Sequence, residues 1–206
     1  MAVLFASLSA LSYGTADFLG GVGTRHNPVY AVLFWSQGVG LLVVVIAAPL
    51  IGAEVVYPID YLWGAAAGLC GAIGISLLYY ALANTVAAVC SPTAAVVGAI
   101  LPVIFGLAFG ERPGVSSWIG VIISIPAILL LSYEPVSSNG KVGRALRLGI
   151  LAGIGFGAFF VLISRTGAGS GLFPLITARM ASMLVVFLSA VVLRKSLRSE
   201  ERRVGK

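Results

Sequence analysis

Seven apolar segments, each close to the length that crosses a lipid bilayer, follow one another along this chain. No other feature restricts its fold as strongly. They cover residues 2–21, 29–52, 62–83, 86–110, 117–132, 148–164 and 172–193. A helix that spans the hydrocarbon core needs about 20 mostly apolar residues. Inside lipid the backbone must satisfy its own hydrogen bonds, which leaves helices as the form such segments take. The joints are short and polar: Thr24-Arg25-His26-Asn27-Pro28, then residues 54–60, then Asn84-Thr85. The two-residue joint forces an antiparallel hairpin, and Glu111-Arg112-Pro113-Gly114 is expected to stop the fourth helix. The expectation is an all-α, polytopic membrane protein with about seven transmembrane helices.

Composition removes the soluble alternatives. Hydrophobic residues make up 59% of the 206 positions and charged ones 10%, against about 45–50% and about 25% in soluble domains. A water-soluble core of this size could not hide that much apolar surface. The net charge of +6 reads as topogenic rather than as a nucleic-acid surface. The first span has no basic residue before it and no cleavage pattern after it, so no removable signal peptide is expected. Cys70 and Cys90 lie at depths that differ by about 12 Å, beyond the ~7 Å that bridged Cα atoms allow, and both read as packing residues.

The longest joint, residues 134–147, divides the chain into 1–133 and 148–197, and the two parts share a pattern. Shifting by 143 carries Ala6, Ala10 and Gly14 onto Gly149, Gly153 and Gly157. Each triplet is a small-xxx-small stripe that lets another backbone come close. Five spans precede the second copy, so it enters the bilayer upside down, an arrangement typical of transporters. The second copy supplies two spans where the first supplies five. Residues 198–206, Arg-Ser-Glu-Glu-Arg-Arg-Val-Gly-Lys, resemble the translation of a sequencing-adapter oligonucleotide and read as an artefactual tail.

The stretch from Tyr79-Tyr80-Ala-Leu-Ala through Ser91-Pro-Thr and Pro102 to Phe109-Gly-Glu-Arg112 resembles the EamA-type family of the drug/metabolite transporter superfamily. The shared features are an Ala-Leu pair before a tight hairpin, a small-residue helix with a proline at mid-depth, and a terminal Gly-Glu-Arg. Tyr13-Gly14-Thr15-Ala16-Asp17 is similar to the family's opening helix. The resemblance implies ten helices in two inverted five-helix halves, a central cavity, and passage of small solutes across the inner (plasma) membrane, with both termini cytoplasmic. Counting Lys and Arg gives the opposite orientation: Arg25, Lys141, Arg144, Arg147, Arg194 and Lys195 on one side against Arg112 and Arg165 on the other. Both orientations stay open.

Charges within spans are costly and mark candidate sites. Asp17 and Arg179 are the two that lie well inside. Asp17 shares a helical face with Tyr13 and Gly14. It reads either as a binder of a proton or a cationic solute, or as an acid reaching water near the helix end. Arg179 faces an anionic solute group or snorkels to the interface. Their depths differ by roughly 12 Å, which argues against a direct salt bridge. Trp35 and Gln37 fall at mid-depth in the second span, where an amide wants a partner or a wet cavity, and Ser36 aligns with Arg179 in the repeat. Tyr79 and Tyr80 read as interfacial belt residues or as rings that stack on solute. Pro102 and Pro126 fall within spans, where lost backbone bonds permit bends near a cavity. The candidate solute-binding set is therefore Tyr13, Asp17, Trp35, Gln37, Tyr79 and Arg179, with Asp17 the proton-coupling candidate. Glu111 reads as structural.

An intramembrane enzyme would need a nucleophile with a base, or a metal cluster. The lone His26 falls in a joint and no such set exists in the spans. No metal or cofactor is expected. The partners expected are a small-molecule solute and the lipid bilayer, not nucleic acid, with oligomeric state open. The function expected is transport, export in direction, of a small metabolite or drug-like solute. A non-transporting scaffold or an inactive truncated remnant is the alternative.

Overall fold

A computed structural model describes residues 2–112, 114–131 and 139–192. The tail at 198–206, Arg194, Lys195 and the first part of the long joint, 134–138, lie outside the described residues. Seven long helices among the described residues run α1 (Ala2–His26), α2 (Val29–Ile51), α3 (Pro58–Asn84), α4 (Ala87–Ala108), α5 (Val115–Leu131), α6 (Asn139–Ile163) and α7 (Phe173–Val192), with a 3-10 turn at Ala168–Ser170. Among the described residues every regular element is helical. Five helices among the described residues are long and apolar enough to cross a membrane, namely α2, α3, α4, α6 from Lys141, and α7. The chain is a multi-pass membrane protein.

Helix ends depart from the hydropathy reading where capping, not apolarity, decides. α3 starts at Pro58 rather than 62, because proline suits a first helical turn and Asp60 accepts a hydrogen bond from the Tyr57 N–H at 2.8 Å. α1 runs to His26 rather than 21. Gly20, Gly21 and Gly23 do not end it; Asn27 does, with its backbone N–H and its side-chain amide both donating to the Gly23 carbonyl. α4 is capped by Gly110, two residues beyond its last helical residue, at φ +86°, a conformation glycine adopts without steric cost. The Glu111 N–H reaches the Gly106 carbonyl and the Gly110 N–H that of Leu107, the two bonds of a Schellman cap. The Gly-Glu-Arg signature therefore terminates a helix here. α6 starts at Asn139, inside the segment read as a joint, since its charges occupy an exposed face while Ala145 is buried.

Packing centres on α3. The closest helix pairs are α4 with α6, α3 with α6, α3 with α7, and α2 with α7. Absent side chains let these backbones meet. A Cβ at Gly68 would overlap the Ala178 carbonyl, and one at Gly153 would sit 2.6 Å from Val97 Cβ and 2.8 Å from the Ala94 carbonyl oxygen. Ser182 Oγ also donates to the Gly68 carbonyl at 2.7 Å. The buried core joins Leu33, Leu78, Leu82, Cys90, Ala152 and Val186. Cys70 and Cys90 are both free thiols. Large apolar side chains such as Leu42, Leu50 and Ile122 stay exposed, as lipid contact requires.

Candidate functional site

The structure brings the sequence-predicted polar residues to two places. The first is a cavity of about 290 Å³ against α1. From that helix come Gly14, Asp17, Phe18, Gly21, Val22 and Arg25, at the three- and four-residue spacings that put side chains on one helical face. Leu82 of α3 and Ala87 and Ser91 of α4 line the rest. Apart from the terminal Arg25 and the Ser91 hydroxyl, Asp17 is the polar side chain in that lining. Among the described residues the Asp17 carboxylate has no hydrogen-bond or ion-pair partner, so it is available to whatever enters. Its partial burial makes a bare charge there costly.

Tyr79 holds the helix that carries Asp17. It is only 4% exposed, and a Cβ at Gly20 would overlap its ring. Its hydroxyl donates to the Ala16 carbonyl at 3.4 Å, one residue before Asp17. The structure therefore places Tyr79 in the packing between α1 and α3.

The second place joins α2 to α7. Arg179 Nη1–H donates to Gln37 Oε1 at 2.6 Å, and Gln37 is buried, 5% exposed. Gly40, one turn further along α2, makes room, since a Cβ there would sit 3.3 Å from Arg179 Nε. Two residues the sequence singled out separately thus meet, and Asp17 takes no part. The repeat alignment pointed to Ser36, but that hydroxyl bonds the Leu33 carbonyl of its own helix. A wider cleft of about 610 Å³ lies beside this pair between α2, α3 and α7. Its lining is apolar except for Thr177, whose hydroxyl is engaged by the Tyr61 and Pro174 carbonyls.

Tyr13 and Trp35 join neither group, being 58% and 63% exposed on the outer faces of α1 and α2. The sequence reading missed Arg25, because ending the first helix at residue 21 put it in a joint. The signal was present: Arg25 continues the Asp17–Gly21 face at four-residue steps. It also missed Asp60. That carboxylate is buried, 2% exposed, and accepts the Gly167 N–H at 2.8 Å besides its own cap. The Glu54 and Val55 N–H groups meanwhile reach the Gly169 carbonyl. The α2–α3 and α6–α7 connections are thereby tied together.

Long apolar helices close-packed through glycine, with a cavity of about 290 Å³ against α1, are the features of a multi-pass membrane protein. The family model described as the EamA-like transporter family matches residues 1–133, and the chain belongs to that family, whose members are membrane transporters rather than enzymes. Neither a curated protein nor a solved structure matches it.

Proposed function

We propose that this protein moves a small metabolite or drug-like solute out across the inner (plasma) membrane by alternating access, with Asp17 as the group that takes up a proton or a cationic part of the solute. The observation that carries the reading is the cavity of about 290 Å³ with Asp17 in its lining, its carboxylate without a hydrogen-bond or ion-pair partner among the described residues. That volume suits a small organic molecule rather than a bare ion or a polymer. The pair Gln37–Arg179 supplies a second polar group on another helix face, suited to an anionic part of a solute. Tyr13 and Trp35 would contribute only if a further element covered them.

The same reading extends to architecture: ten helices in two inverted halves, divided at 1–133, 134–147 and 148–197. Support comes from unequal cover over related positions. Gly149, Gly153 and Gly157 of α6 seat α4, whereas Ala6, Ala10 and Gly14 of α1 are exposed. Ala178, Ser182 and Val186 of α7 are buried, but Trp35, Val39 and Val43, their α2 counterparts at the same offset, are exposed. Counterparts of α3 and α4 would fill that bare surface.

Efflux from proteoliposomes, loaded with a panel of small cationic and neutral solutes, tests the function. The expected result is flux above empty vesicles, with pH dependence that Asp17→Asn abolishes and Asp17→Glu retains. Flux whose pH profile is unchanged in Asp17→Asn would remove Asp17 from the mechanism. No flux above empty vesicles would favour the alternative of a scaffold or inactive remnant.

A further inference from the structure

The first turns of α6 stand apart from the solute cavity. Lys141, Arg144 and Arg147 recur every third residue there, and all three are exposed. At 1.5 Å per residue they form a ridge about 9 Å long. The flank of the same turns packs inward, with Ala145 in the buried core and Leu148 partly buried against it. The ridge is therefore held in one orientation.

Its middle member is fixed further. Arg144 Nη2–H donates to the Tyr80 hydroxyl at 2.6 Å, and the guanidinium carbon lies 5.5 Å from the centre of the Tyr80 ring. A guanidinium has five N–H donors in a planar fork, so the remainder of the fork is left for a second acceptor. No carboxylate among the described residues supplies one. Among the described residues the end of the bundle where α1 finishes carries Arg25, Lys141, Arg144 and Arg147 and no acid, while Glu54, Asp60 and Glu111 belong to the connections at the opposite end.

The chain directly beyond the ridge indicates what kind of anion fits. Ile150, Leu151 and Ile154 follow Arg147 by three, four and seven residues, and all are exposed. These spacings continue the charged face into an outward apolar stripe. A ligand matching both parts has a phosphate above and hydrocarbon below.

We propose that Lys141, Arg144 and Arg147 dock the phosphate of an anionic phospholipid, with Arg144 as the anchor presented by Tyr80 and the acyl chain lying on Ile150, Leu151 and Ile154. The site is independent of Asp17 and of the transport reading. Basic residues at a membrane surface are each worth about fivefold in affinity for anionic lipid.

The test is native mass spectrometry of the full chain in detergent with equal amounts of phosphatidylglycerol and phosphatidylcholine. Phosphatidylglycerol should be retained preferentially. Arg144→Gln should weaken that preference about fivefold, and the triple change Lys141→Gln, Arg144→Gln, Arg147→Gln by about a hundredfold. Equal retention of the two lipids by the unaltered chain would overturn the proposal, as would undiminished preference in the triple variant. Displacement of the lipid by millimolar inorganic phosphate would also overturn it, by assigning the ridge to a soluble anion. A second measurement needs no variant: raising ionic strength should erode the preference of the unaltered chain, and a preference indifferent to salt overturns the assignment.

Discussion

The helix pairs α1–α2 and α6–α7 occupy related positions in the sequence, yet they sit in different surroundings. α6 lies in a cradle made by α3 and α4, and its Gly155 meets the Gly74 backbone. α7 is seated on Gly64 and Gly68 of α3. α1 touches α2 and α3 only lightly, and a side chain added at Gly14 would meet nothing within 4 Å. One small-residue pattern thus produces tight contact in the second pair and open surface in the first. The lesson is that small residues permit close approach without causing it; a complementary helix must also be present.

Unfolding of six single variants in mixed micelles would break or sharpen this contrast. The largest effect is expected for Gly153→Leu, which drives a branched side chain into Val97 and the Ala94 carbonyl and should cost about 3 kcal/mol. The corresponding change on the bare pair, Gly14→Leu, should stay within about 0.5 kcal/mol, and equal damage from the two would end the distinction. Next comes Asp60→Ala. It leaves the Tyr57 and Gly167 N–H groups without their acceptor and should cost about 2 kcal/mol.

Gln37→Ala should cost about 1 kcal/mol, the scale of an interhelical hydrogen bond in a membrane, because Arg179 loses its acceptor across α2 and α7. The smallest effects belong to the bare surface. Trp35→Ala and Tyr13→Ala should each shift stability by no more than about 0.5 kcal/mol. A larger loss at Trp35 would show that the α2 face is covered by protein under the conditions of measurement.

The number and order of the helices were legible because apolar runs of bilayer length alternate with polar joints. Their ends were less so. Hydropathy falls at Arg25 and at Lys141, but a helix does not stop where charge begins; it stops where its last carbonyls find other donors, as at Asn27 and Gly110. Asp17 was visible as the one acid within the apolar first span. Arg25 was hidden by a boundary set five residues early. Gln37 and Arg179 were each visible as polar residues at depth, while their pairing depends on how α2 crosses α7, which spacing along one chain does not encode. Asp60 looked like an ordinary acid in a joint. Its second partner lies 107 residues away, beyond the reach of any local pattern.

The tie between Asp60, Gly167 and the strand of chain at Glu54–Val55 has a mechanical consequence. Because two connections are stitched at one end of the bundle, α2, α3, α6 and α7 are clamped there as a single block. α1, which carries Asp17, lies outside that block and meets it through Tyr79, Leu82 and Val32, so any tilt of α1 against the block would have to open those contacts.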